Sequence, residues 1–145
     1  MQITSHDQHD ADIDYFAADS EGHVLHVASG GGRLPGSVAA SEEVLLELHA
    51  YFLSRAETTS AEPGEGVAVH HTEYPSHARY ARRGLFSFGK TDLHNGAHGQ
   101  YRLVARPAQP LTVAELPKAI GQLLSRTRLP APAATSPTFD VGTML

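Results

Sequence analysis

Residues 12–32 read DIDYFAADSEGHVLHVASGGG, and this stretch decides the fold. Two largely apolar runs, 13–18 and 23–28, flank Asp19-Ser20-Glu21-Gly22. An aspartate opens a type I turn well, because its carboxylate accepts from backbone N–H groups just ahead of it. Gly22 tolerates the left-handed backbone that closes a four-residue loop with a bulge. The stretch therefore predicts an antiparallel hairpin. Alternation places Ile13, Tyr15 and Ala17 on one face and Asp14, Phe16 and Ala18 on the other. In the second run Leu25 and Val27 alternate with Val24 and His26. Both faces carry apolar groups, so the hairpin is expected centrally in a sheet covered on both sides.

Residues 29–37, SGGGRLPGS, read as a loop, and residues 1–11 show no periodic pattern. A helix is predicted over 41–55, capped by Ser41, with Glu42 and Glu43 at the positive end of its dipole. Leu45, Leu48 and Phe52, widened by Val44 and Leu53, form its buried stripe. Residues 56–66 read as an acidic loop, and 67–71 as a short strand. A second helix is expected over 76–83, capped by Ser76 and stopped by Gly84. Strands follow at 85–89 and 100–106, joined by a long turn-rich loop. A last helix is expected within 111–126, its start drawn between Thr112 and Pro117. The reading is one α+β domain over 1–129. Its antiparallel or mixed sheet is built from the 13–28 and 85–106 hairpins, with two main helices packed on it. The Pro/Ala-rich tail 130–145 is flexible by composition, unless Phe139, Val141, Met144 and Leu145 dock it.

The 145 residues carry a formal net charge of -5, which disfavours a general nucleic-acid binder and favours a basic partner. There is no cysteine, so disulfides, thiolate metal sites and cysteine nucleophiles are all excluded. No stretch has the apolar length of a membrane span or the pattern of a signal peptide, and a cytoplasmic location is expected.

Ten histidines invite a metal reading. His94 and His98 have H-x3-H spacing, but Asn95-Gly96 places them in a loop. His23 and His26, like His70 and His71, alternate in parity and diverge from their strand. His6 and His9 with Asp7 and Asp10 form only a surface tract. Neither a metal nor any other cofactor is expected. Ser29-Gly30-Gly31-Gly32-Arg33 lacks the Gly-Lys-Ser/Thr ending of a phosphate loop and reads as a tight turn. No G-x-S-x-G elbow exposes a serine, so no catalytic residue is assigned. Arg79, Arg82 and Arg83 with Tyr80 read as a solvated helix end.

The segments DYFAADSEGHV (14–24), ASGGGRLP (28–35), SVAASEEVL (37–45), ARRGLFSF (81–88), YRLVARPAQPL (101–111) and LP (116–117) occur in that order. Together they resemble the small bacterial immunity proteins of polymorphic toxin systems. The resemblance implies a non-enzymatic cytoplasmic protein that binds and neutralises a cognate toxin. Asp12, Asp14, Asp19, Glu21, Tyr74, Asp92 and His94 are the candidate partner-binding residues, chosen for acidity and for aromatic or imidazole anchors. Two alternatives stay open. One is a small metal-dependent enzyme using His70, His71, His94 or His98. The other is a structural adaptor, a homo-oligomer assembled through its C-terminal tail.

Overall fold

The computed structural model describes residues 1–68, 72–90 and 99–144. It is an α+β fold around one mixed sheet. In chain order the elements are α1 (Ser5–Asp10), β1 (Asp14–Ala18), β2 (Val24–Ala28), α2 (Gly36–Ala39), α3 (Glu42–Ser54), β3 (Ala61–Pro63), α4 (Tyr74–Ala81), β4 (Phe86–Lys90), β5 (Gln100–Pro107), α5 (Lys118–Leu124) and β6 (Thr138–Asp140). The strand order is β1-β2-β4-β5-β3, with β6 also paired to β5.

β1 and β2 pair antiparallel, with Phe16 opposite His26 and Asp14 opposite Ala28. Their turn forms as the sequence implies: Gly22 has φ 78°, and the Asp19 amide donates to the His23 carbonyl at 2.9 Å. β2 is interior, between β1 and β4. The chain then runs through α2, α3, β3 and α4 before β4 adds parallel to β2, with His26 beside Ser87. β1 lies at the flank instead of centrally. Its outer edge is closed by the chain around Thr127–Leu129, where Ala18 donates to Thr127 and accepts from Leu129. β4 and β5 pair antiparallel, and their connection falls at 91–98, outside the described residues. The sheet is wider than two hairpins, because β3 and β6 both add to β5.

The alternation in β1 and β2 sorts the apolar residues onto two cores. Phe16, Ala18 and Val24 join Leu48 and Phe52 of α3, Tyr80 of α4, and Ile120 and Leu124 of α5. Tyr15, Ala17, Leu25 and Val27 join Phe86, Phe88 and Tyr101 on the opposite face. That second face is covered by Leu34, Val38, Leu129, Ala133, Phe139 and Met144. The tail is thus an apolar cover, threaded over the sheet by Phe139 and Met144 despite its proline-rich composition.

Several expectations are corrected. Residues 1–11 hold α1, capped by Thr4, and 29–37 contain the first residues of α2. The acidic 56–66 stretch contains β3, while Val67 and Ala68 form no strand, and the rest of that expected strand (69–71) is outside the described residues. α4 begins at Tyr74, with Pro75 in its first turn, so Ser76 is inside the helix and not its cap. The 111–126 helix is broken: a 3-10 turn at Val113–Glu115 ends before Pro117, whose missing N–H suits the position just ahead of α5. Ser41 does cap α3, its hydroxyl accepting from the Val44 amide at 3.2 Å.

Candidate functional site

The register of three strands and one helix brings four polar side chains into a buried row. His26 lies on the same face of β2 as Phe16 does on β1, so Asp14, two residues before Phe16, is its diagonal neighbour. His26 Nε2 is 2.8 Å from Asp14 Oδ1. On the other side, His26 Nδ1 is 2.7 Å from Ser87 Oγ of β4. Ser87 Oγ is also 2.6 Å from Nδ1 of His77, which α4 lays against the sheet. One turn on, Tyr80 stacks flat on His26, with ring centroids 3.6 Å apart and planes 10° apart.

Burial pushes the pKa of His26 down, against the pull of Asp14, and burial brings that of His77 to about 4. Burial alone would raise Asp14, but the hydrogen bond from His26 and the nearby positive charge of Arg79 act against it, and its carboxyl is held below the ordinary range. A carboxylate beside two neutral imidazoles fixes every proton in the row. Asp14 can only accept, so His26 donates from Nε2 and its Nδ1 is bare. Ser87 then donates to His26 Nδ1 and accepts from His77 Nδ1–H. The row ends on a bare His77 Nε2, an obligate acceptor.

That nitrogen makes no hydrogen bond among the described residues, and His77 lines a cavity of about 190 Å³ together with Asp12, Asp14, Arg79, Gly89 and Lys90. A Cβ on Gly89 would stand 3.1 Å from His77 Nε2, so the glycine leaves that nitrogen room. Arg79 arches over Tyr80, its guanidinium carbon 4.8 Å from the ring centroid, and donates to the Tyr80 hydroxyl and the Ser76 carbonyl. Lys90 is only 4% exposed, and its Nζ has no hydrogen-bond partner among the described residues. Ser87 has no exposed surface and does not line the cavity. The Asp14–His26–Ser87 contacts copy the order of a hydrolase triad, yet the serine is presented to nothing.

Asp14 also faces a second hollow, of about 590 Å³, between the N-terminal segment and α3. Ile3, Ile13, Leu45 and Leu46 supply its apolar lining and Asp7, Asp14 and Glu42 its acid, with no lysine or arginine. Leu46 is 59% exposed there.

Among the sequence candidates, Asp14 lines both hollows and Asp12 the polar cavity. Tyr74, half-buried, opens α4 next to Glu73 of the cavity wall. Asp19 and Glu21 lie at the other end of the hairpin, and Asp19 is 3% exposed. Its Oδ1 accepts from the Glu21 and His23 amides and its Oδ2 from the Ala133 amide, each at 2.8 Å, so its carboxylate is used inside the fold. Asp92 and His94 lie outside the described residues, as do His70, His71 and His98. The arginine cluster divides: Arg82 and Arg83 pair with Glu57, and Arg79 alone turns to the cavity. Sequence reasoning missed His26, His77, Ser87, Lys90 and Leu46. Parity within one strand separated His23 from His26 correctly, but the partners of His26 come from β1, β4 and α4. Among the described residues, no group of three histidine or acidic side chains is placed to hold a metal ion. No helix among them is long and apolar enough to cross a membrane.

Compared with known proteins, the chain matches no family model, no curated protein and no solved structure.

Proposed function

We propose that the chain is a binding protein of the immunity type, which docks a basic toxin and neutralises it by occupancy instead of catalysis. The observation that carries this reading is the hollow beside α3. Its apolar floor opens at an exposed Leu46, its charged side chains Asp7, Asp14 and Glu42 are acidic, and the Met1 ammonium at its rim is already paired with Glu43, which suits an apolar anchor set among lysines and arginines. Asp14 continues the acidic rim. The burial of Ser87 supports binding over hydrolysis, since an active nucleophile has to reach its substrate.

The test co-expresses the chain with the product of the neighbouring toxin gene. Direct capture of that product, together with restored growth of cells expressing it, is the expected result. Leu46→Glu should weaken capture at least tenfold without lowering the thermal midpoint, because the side chain already sits in solvent. No capture and no rescue by the unaltered chain would overturn the reading.

A further inference from the structure

The polar cavity beside Asp14 carries a demand that the docking reading leaves unexplained. His77 is only 5% exposed and lines this cavity at the end of the buried row. Its Nδ1 is used on Ser87, so Nε2 can only accept, and nothing among the described residues donates to it. A buried acceptor left unmet bears the cost of its lost hydration, which a donor arriving from outside would remove. The surrounding charge says which donor. Asp12, Asp14 and Glu73 line the cavity, and Arg79 brings a single guanidinium against them. Lys90 borders it as well, but its ammonium lies on the opposite face of β4, beside Gly32 and the Tyr101 hydroxyl. Three carboxylates against one guanidinium leave the space negative. Arg79 is already engaged by the Ser76 carbonyl and the Tyr80 hydroxyl. Asp14 gives Oδ1 to His26, while its Oδ2 stands 3.8 Å from His49, and Asp12 gives Oδ1 to the Gly30 amide. One oxygen of each is left to face a cation.

We propose that this cavity binds a primary ammonium group, which donates to His77 Nε2 and whose charge Asp14 and Asp12 balance. An anion brings no proton to Nε2 and meets the three carboxylates. A metal ion lacks its ligand set, because no three histidine or acidic side chains among the described residues are placed to hold one. A neutral alcohol satisfies Nε2 but leaves the carboxylates unmatched. Size limits the rest of the ligand. An engineered cavity of roughly 150 Å³ accepts benzene, so about 190 Å³ admits an alkyl chain of a few carbons behind the ammonium. Two sources share this chemistry, a free alkylamine and the end of a lysine side chain carried by another protein.

The test titrates methylammonium, ethylammonium, n-butylammonium and Nα-acetyl-L-lysine N-methylamide into the intact protein near neutral pH. Ethanol and sodium acetate are the neutral and anionic controls. Long-range proton–nitrogen spectra read His77 directly. A bare Nε2 signal that moves toward the hydrogen-bonded range is the expected result, for at least one ammonium ligand and at tenfold lower concentration than for either control. Binding of the lysine derivative as tightly as n-butylammonium identifies a side chain, and its exclusion identifies a free amine. Asp12 and Arg79 are both exposed, so their variants should fold. Asp12→Asn keeps an oxygen for the Gly30 amide and should weaken ammonium binding about threefold or more. Arg79→Met removes the opposing charge and should tighten it. No movement of the His77 signal with any ammonium ligand, or an equal response to ethanol or acetate, would overturn the proposal. So would unchanged affinity in Asp12→Asn or weaker binding in Arg79→Met. These readouts use the chain alone, so this site and the docking hollow stand or fall separately.

Discussion

At the scale of single residues, the row from Asp14 to His77 links protonation to stability. The native protein holds His77 neutral down to about pH 4, whereas an unfolded histidine takes its proton near 6.5. Between those values the unfolded chain binds more protons, so stability is complete above about pH 6.5 and falls as the pH drops toward 4. The span corresponds to roughly 3 kcal/mol, and the lowered pKa of His26 adds in the same direction. Asp14, whose carboxyl is held below its usual 3.8, extends the loss further into acid. Urea midpoints across this range should slope steeply for the unaltered protein and clearly less for His77→Gln. Equal slopes would mean that His77 is not held neutral by its surroundings. Asp19 makes a second residue-level prediction. Its two oxygens serve three backbone amides, one of them on the tail. Asp19→Ala should cost about 3 kcal/mol in denaturant unfolding, the range expected when buried donors lose their acceptor.

At the scale of elements, legibility followed how local the cause is. The β1–β2 turn and the α3 cap are written in residues a few positions apart, Asp19 with Gly22 and Ser41 with Val44, and both formed where the sequence placed them. β3 was hidden because three residues ending in Pro63 have no alternation to detect, and what makes them a strand is the open edge of β5. The tail was legible only in part, as a choice between flexibility and docking through Phe139 and Met144, and the structure takes the second. Its composition signals disorder, but Phe139 stacks on Tyr101 at 5.5 Å and meets Phe88 edge-on at 4.9 Å. The polar row was the least legible feature. The hairpin register pairs Phe16 with His26, and a shift of one residue at the turn would send His26 to the other core. The link from His26 to Ser87 spans 61 residues and that from Ser87 to His77 spans 10, the first across a parallel crossover that no local pattern records. The α3 cap gives a direct check: Ser41→Ala should remove one amide acceptor and lower stability by about 1 kcal/mol, as measured by thermal unfolding.

At the scale of the molecule, one sheet separates two cores that different parts of the chain close. Helices α3, α4 and α5 cover the Phe16 face, and residues 129–144 supply much of the cover over the Tyr15 face. The two faces are not independent layers, because β1 and β2 send alternate side chains into each. Tyr15 and Phe16 are adjacent yet belong to opposite cores. The tail is also tied to the turn of the same hairpin through Asp19 and Ala133. Loss of the tail's packing should therefore propagate through the sheet and not end in local fraying. Phe139→Ala on one face and Leu124→Ala on the other should each cost about 2–5 kcal/mol, the range for truncating a large buried apolar side chain. Both variants should unfold in one urea transition, with the tyrosine fluorescence and far-ultraviolet dichroism curves superimposed and the slope m unchanged. Separate transitions for Phe139→Ala would show that the tail opens as a unit of its own. A single one means that the surface carrying Asp14 and Leu46 is held in place by both cores at once.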